Sequence, residues 1–247
     1  MKRALVAAAA CAAAAAGFAG AAGAGAPSGI APIAIDVGHS IASQGAISSR
    51  GVAEFEFNRA LALDIDARLR ADGHATLLIA AEGRTEDLVS RPRKAGTAGA
   101  RLLISVHHDS ARARFLEDWV HEGVARKFLD DRFRGFSLFV SRQNPAWRRA
   151  LDCASAIGER LVAAGFKPSR HHADPNLGAG REYADERHGV HFFDNLAVLR
   201  HAVMPALLFE AGVIVNRDDE LLLSRADTRA RIADAVALAQ PVCAAAR

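Results

Sequence analysis

Four short apolar runs set the rhythm of the chain: IAIDV at 33–37, ATLLIA at 75–80, LLISV at 102–106 and ALLFE at 206–210. Each is nearly unbroken, the pattern of a strand covered on both faces. Between them the hydrophobic positions change to helical spacing. Phe57, Leu61, Ile65 and Leu69 recur every four residues, with Arg59, Asp66 and Arg70 facing away and Gly73 as a stop, which predicts a helix beginning at Glu54. A second helix is expected from about Thr85, broken or kinked near Pro92. Further on, GFSLFVS at 135–141 reads as another strand and 147–164 as a strongly amphipathic helix ended by Gly165. A short turn or helix at 196–200 and a closing helix at 227–238 complete the series. Strands alternating with helices predict the α/β class: one domain, with a mainly parallel twisted sheet and helices on both faces.

Three stretches stand outside this rhythm. Residues 41–51 are rich in Ser and Gly and read as a loop over a pocket mouth. Residues 167–190 form a polar loop region along the same cleft. Residues 112–134 combine dense charge with Trp119 and several phenylalanines, and read as an insertion between two strands.

Composition narrows the setting. The 247 residues suffice for one sizeable core and are short for two. The N-terminus carries Lys2 and Arg3, then an Ala-rich apolar run, then small residues, the build of an export signal over 1–26 with cleavage near 21–26. Residues 27–247 are then expected to form the single mature domain, with no stable membrane anchor. Cys11 is not read as a lipidation site, because Ala8-Ala9-Ala10 lacks the usual leucine. Removing Lys2 and Arg3 leaves 29 of the 31 basic residues against 28 acidic ones, a balance that argues against nucleic-acid binding. Cys153 and Cys243 remain. They either pair in an oxidising compartment, or Cys153 is a small helical core residue.

Ligands of parallel sheets bind beyond the strand C-termini, where His39, His107 and Glu210 all fall. Glu54 joins them from the first turn of its helix, although the helix dipole alone would also favour a carboxylate there. A hydrolytic zinc site needs imidazoles and carboxylates around the metal, an open position for water and a carboxylate to take the water's proton. His39, Glu54 and His107 can supply the ligands and Glu210 the base. An unpaired carboxylate ending an apolar strand is costly, so Glu210 is expected beside a cation or metal. His107 and His108 point to opposite sides of an extended chain, so only one can face the metal. Asp36 is expected either to orient an imidazole or to serve the strand-end turn. His171, His172, His188, His191 and His201 are too irregularly spaced to read as a metal cluster and are assigned cleft or surface roles. Other chemistries lack their motifs: His121-Glu122 opens an HExxH, but Ala125 and Arg126 follow, and neither GxSxG nor a P-loop is present.

At these residues the chain resembles the zinc-dependent N-acetylmuramoyl-L-alanine amidases of the Amidase_3 type, which cleave peptidoglycan. The family's Asp-Pro-Gly-His is matched by Asp36-Val37-Gly38-His39, and its Glu-Lys-Asp-x-Asn by Glu54-Phe55-Glu56-Phe57-Asn58. Its Ser-Ile-His-Ala-Asn-Ser is matched by Ser105-Val106-His107-His108-Asp109-Ser110. Its Leu-Val-Glu-x-Gly-Phe-x-x-Asn is matched from Phe209-Glu210 through Asn216. The departures are Val37 for proline, Ser40 for glycine, His108 for a small residue and Val213 for an aromatic. The resemblance spans 33–238 and implies Zn²⁺ held by His39, Glu54 and His107, with Glu210 as general base, in a periplasmic or cell-wall enzyme. The substrate it implies is the amide between N-acetylmuramic acid and L-alanine. Arg181, Asn195 and Arg200 are candidate muropeptide contacts, each weighed against an exposed structural role. The other readings are a zinc peptidase acting on the stem peptide and a non-catalytic peptidoglycan-binding regulator. Some similar amidases carry a helix over the zinc, so Glu117 or Glu122 of the 112–134 insertion could fill the open coordination position until an activator protein removes it. The alternative for the insertion is a cleft wall or partner-docking flap.

Overall fold

Every residue of strand β1 (Ile33–Val37) is buried, and it lies between two parallel neighbours, β2 (Thr76–Ile79) and β3 (Leu102–Asp109). The computed structural model describes residues 30–84 and 87–245; the expected export leader at 1–26 and the expected helix start at Thr85 lie outside them. Strand β9 (Ala206–Val213) continues the parallel set beside β3. Beyond it come β6 (Ser137–Val140), antiparallel to β9, then β8 (Val190–Phe192), and at the edge β7 (Tyr183–Asp185). The order is β2-β1-β3-β9-β6-β8-β7, mostly parallel as the unbroken apolar runs predict.

Alternate residues of the same strands feed two cores. Ile33, Ile35 and Val37 join the larger one, with Phe57, Leu61, Ile65 and Leu69 of α1 (Glu54–Ala71), Ile157 and Leu161 of α3 (Trp147–Ala163) and Ile232 and Val236 of α6 (Ala226–Leu238). Ala34, Leu103 and Leu208 face the other way, with Ala95 of α2 (Ser90–Thr97) and Val198 and Leu199 of α4 (Ala197–Arg200). Helices therefore cover both faces. Short helices α5 (Arg217–Leu223) and α7 (Gln240–Ala244), which the periodicity did not announce, close the chain. Among the described residues, no helix is long and apolar enough to cross a membrane.

Several expectations are corrected. Pro92 does not kink α2: it occupies the first turn, where its missing N–H has no intrahelical partner to lose. Strands β3 and β9 run past Val106 and Glu210 to Asp109 and Val213, with an irregularity between His107 and Asp109, because the two strands pair on beyond their apolar residues. The region 167–190 is not all loop, since it holds β7 and the start of β8. Residues 112–134 carry no α-helix. They form a hairpin of β4 (Glu117–His121) and β5 (Val124–Phe128), turned at Glu122-Gly123, both with positive φ as such tight turns require. The hairpin is a separate two-stranded sheet with Trp119 donating from Nε1 to the Ser49 carbonyl at 3.1 Å. Cys153 and Cys243 are joined in a disulfide that ties α3 to α7 across 90 residues.

Candidate active site

Glu54 is the hub of the site. One carboxylate oxygen, Oε2, lies 3.0 Å from His39 Nε2, and the other, Oε1, lies 3.1 Å from His107 Nδ1. Three more contacts fix it. Ala46 N–H donates to Oε2 at 3.0 Å, while Asn58 Nδ2 and the His108 N–H donate to Oε1 at 3.1 and 3.3 Å. Burial alone would raise the pKa of this carboxyl. The hydrogen bonds and charges of His107 and His39 outweigh that and hold it well below the usual carboxylate range.

Each partner arrives from a different element. His39 follows β1 through Gly38 and has φ 67°, a left-handed backbone rare outside glycine. Gly38 itself leaves no room for a side chain, since a Cβ would run into the His107 ring. Gly45, in the loop expected over the pocket, has φ 77°, and a Cβ there would strike Glu54 and His39. His107 lies on β3 and its ring meets that of His39 edge-on, with centroids 5.0 Å apart. His108 points the other way. It is buried against Phe57, its Nδ1 2.8 Å from Asn58 Oδ1, and burial pushes its pKa down to about 3.

Asp36 does not orient an imidazole. Its Oδ1 accepts from Arg91 Nη1 at 2.8 Å and its Oδ2 from Ser105 Oγ at 2.7 Å, all buried. It serves the strand end through Arg91, which also donates to the Val37 carbonyl and, at 2.6 Å, to that of His39. Arg91 was not singled out in the sequence; its only signal was a cation on the buried side of an otherwise polar helix.

Glu210 pairs in register with His107 across β3 and β9. Its Oε2 is shut off from solvent and has no hydrogen-bond partner. Burial, then the charges of Asp109 and Glu54, push its pKa well above the ordinary value. His39, Glu54, His107, Asp109, His171, His172, Arg181 and Glu210 all line one cleft of about 540 Å³. The ligand atoms of His39, Glu54 and His107 lie within 4.8 Å of one another, two imidazoles and a carboxylate open on one side, a donor set that fits a catalytic divalent metal.

The remaining candidates separate cleanly. Arg181 lines the cleft, whereas Arg200 is exposed beside His201 and Asn195 meets Gln143 away from it. Glu117 and Glu122 lie on the exposed hairpin and neither lines the cleft, whereas Arg112, at the start of the insertion, does. His171 and His172, given cleft or surface roles by their spacing, instead converge on Asp109: His172 Nε2 is 2.6 Å and His171 Nε2 3.2 Å from Oδ2. Burial would raise the Asp109 pKa, but these imidazoles hold it well below the carboxylate range.

The family model Amidase_3, N-acetylmuramoyl-L-alanine amidase, matches residues 33–239, a span that includes every residue of the cleft. The chain belongs to this family. Membership assigns it to the peptidoglycan amidases, hydrolases acting at the cell wall. The amidase fold is shared with the catalytic domain of CwlV from Bacillus (Paenibacillus) polymyxa var. colistinus, at TM-score 0.64 and 21% identity over 85% of this chain and 96% of that one. Ami1 from Mycobacterium smegmatis gives 0.65 and 20%, over 87% and 97%. CwlD from Clostridioides difficile, solved in complex with the GerS lipoprotein, gives 0.59 and 16%, over 87% and 98%. No curated protein sequence matches.

Proposed function

We propose that this amidase is an exported zinc hydrolase that cleaves the amide between N-acetylmuramic acid and L-alanine. The observation that carries the reading is the placement of a cleft-lining carboxylate, Glu210, whose Oε2 has no hydrogen-bond partner, in register beside His107 of a two-imidazole, one-carboxylate donor set. Zn²⁺ held by His39, Glu54 and His107 would supply Lewis acidity to the scissile carbonyl and to water. Glu210 takes the proton of the attacking water and returns it to the leaving amine of L-alanine. A raised pKa suits both halves of that task, since it makes the carboxylate a stronger base without removing it as an acid. Glu54 keeps the two imidazoles aimed at one point. Arg181, which lines the cleft together with Arg112, is a cation available to a stem-peptide carboxylate.

Export is supported by the leader composition and by a Cys153–Cys243 disulfide, which persists in oxidising compartments. We assign the exposed hairpin Glu117–Phe128 to a regulatory partner, on its separateness from the cleft and on the GerS complex of the similarly folded CwlD.

The test is mass spectrometry of peptidoglycan digested with and without chelator. Intact stem peptides released from intact glycan strands, only with zinc, are expected. Cuts within the stem peptide would assign a peptidase, and binding to sacculi without products a regulator. Glu210→Gln should keep the metal and lower turnover by about 10²–10⁴-fold; turnover near wild type would refute its role as base.

A further inference from the structure

The cleft contains a second set of donors that the proposed reaction does not use. We propose that Asp109, His171 and His172 form a second divalent-metal site, of the zinc class, beside the one at His39, Glu54 and His107. Their ligand atoms also lie within 4.8 Å of one another. Asp109 is two residues beyond His107 on β3, so strand alternation returns it to the cleft side. His171 and His172 are neighbours in sequence, and in an extended chain they would diverge. Here a turn at Arg170–Ala173 folds them together, with ring centroids 3.9 Å apart.

The contacts within the cluster converge on one carboxylate oxygen. Both Nε2 atoms approach the same oxygen, Asp109 Oδ2, yet only His172 at 2.6 Å makes a hydrogen bond. His171 Nε2, on a side chain 2% exposed, is 3.2 Å away and out of line, a buried imidazole nitrogen aimed at the cluster with no hydrogen-bond partner. The far side of that ring is already oriented, because Nδ1 lies 2.7 Å from Ser169 Oγ. Outer hydrogen bonds of this kind fix the tautomer and aim of metal-binding histidines. The supporting loop is rigid: Ser169 N–H donates to the Phe136 carbonyl at 2.7 Å, Arg181 N–H to that of His172 at 2.8 Å, and Gly178 packs so closely on His171 that no Cβ fits. Two imidazoles and a carboxylate around an open side suit Zn²⁺ or a similar borderline cation.

The experiment is metal stoichiometry on the chain carrying no polyhistidine tag, stripped with chelator, dialysed against Zn²⁺ and measured by elemental mass spectrometry. Two equivalents are expected for the wild type, one for His171→Ala/His172→Ala, one for His39→Ala/His107→Ala, and none when all four are replaced. A single wild-type equivalent that survives His171→Ala/His172→Ala and vanishes with His39→Ala/His107→Ala would overturn the second site while leaving the amidase site standing. A single equivalent with the reverse pattern would uphold the second site and sink the first. Zinc retained after all four replacements would place the metal elsewhere and overturn both. If the double variant fails to fold by circular dichroism, Asp109→Asn serves in its place and is expected to lose the same equivalent. Ser169→Ala is the positioning control. It should weaken zinc at the second site by about 10–100-fold without moving the first; equal weakening of both would count against the assignment.

Discussion

Arg91 holds Asp36 and the carbonyl of His39 in one buried grip, 2.8 Å to the carboxylate and 2.6 Å to the carbonyl, although α2 and the end of β1 are more than fifty residues apart in the chain. His39 needs that grip. Its backbone sits at φ 67°, where a non-glycine residue is strained, and the guanidinium fixes the turn from beneath.

Replacing Arg91 by Met therefore leaves the buried Asp36 carboxylate without its cation, with the Ser105 hydroxyl still donating to it. The expected loss is about 3–5 kcal/mol in urea unfolding. Asp36→Asn combined with Arg91→Met should recover part of it. A single variant as stable as the wild type would show that the pair carries no structural weight.

Gly38→Ala tests the fit between β1 and the imidazole behind it. The new methyl must displace the His107 ring, the group that aims at Glu54. Zinc affinity, measured by competition with a chromophoric chelator, should fall by about tenfold or more while far-UV circular dichroism is unchanged. Gly45→Ala should act in the same direction, with added backbone strain at φ 77°.

Reduction of Cys153–Cys243, or its replacement by two serines, opens a loop of 90 residues and frees α7 from α3. Stability should drop by about 2–4 kcal/mol by the loop-closure argument. The cleft is built from other elements, so turnover at low temperature should persist.

The hairpin gives a similar expectation. Trp119 packs against Arg217 at 5.1 Å and Arg50 at 5.6 Å and donates to the Ser49 carbonyl, and it does not line the cleft. Trp119→Ala should cost about 1–2 kcal/mol and leave turnover on purified sacculi within about twofold. A rise of tenfold or more would favour a covering role for 112–134 over a docking one.

Much of this molecule was legible beforehand. The unbroken runs at 33–37, 102–106 and 206–210 could only be central strands, and Phe57, Leu61, Ile65 and Leu69 could only be the inner face of a helix. Strand ends carrying His39 and His107, with Glu54 opening the helix, followed from the same pattern. The insertion at 112–134, for which the sequence leaves both a zinc-covering segment and a cleft wall or docking flap open, carries a hairpin, because the Glu122-Gly123 turn and the strand pairing on either side of it outweigh its charge density.

The sequence by itself thus determined the α/β class and nominated the four residues that the fold gathers at one cleft, because periodicity and short motifs are local properties of the chain. Tertiary structure alone decided what depends on distance between remote segments. It brought Arg91 under His39, joined Cys153 to Cys243 and folded His171 and His172 onto Asp109. These contacts span 52, 90 and more than sixty residues, and nothing in the local pattern of either partner records where the other will lie.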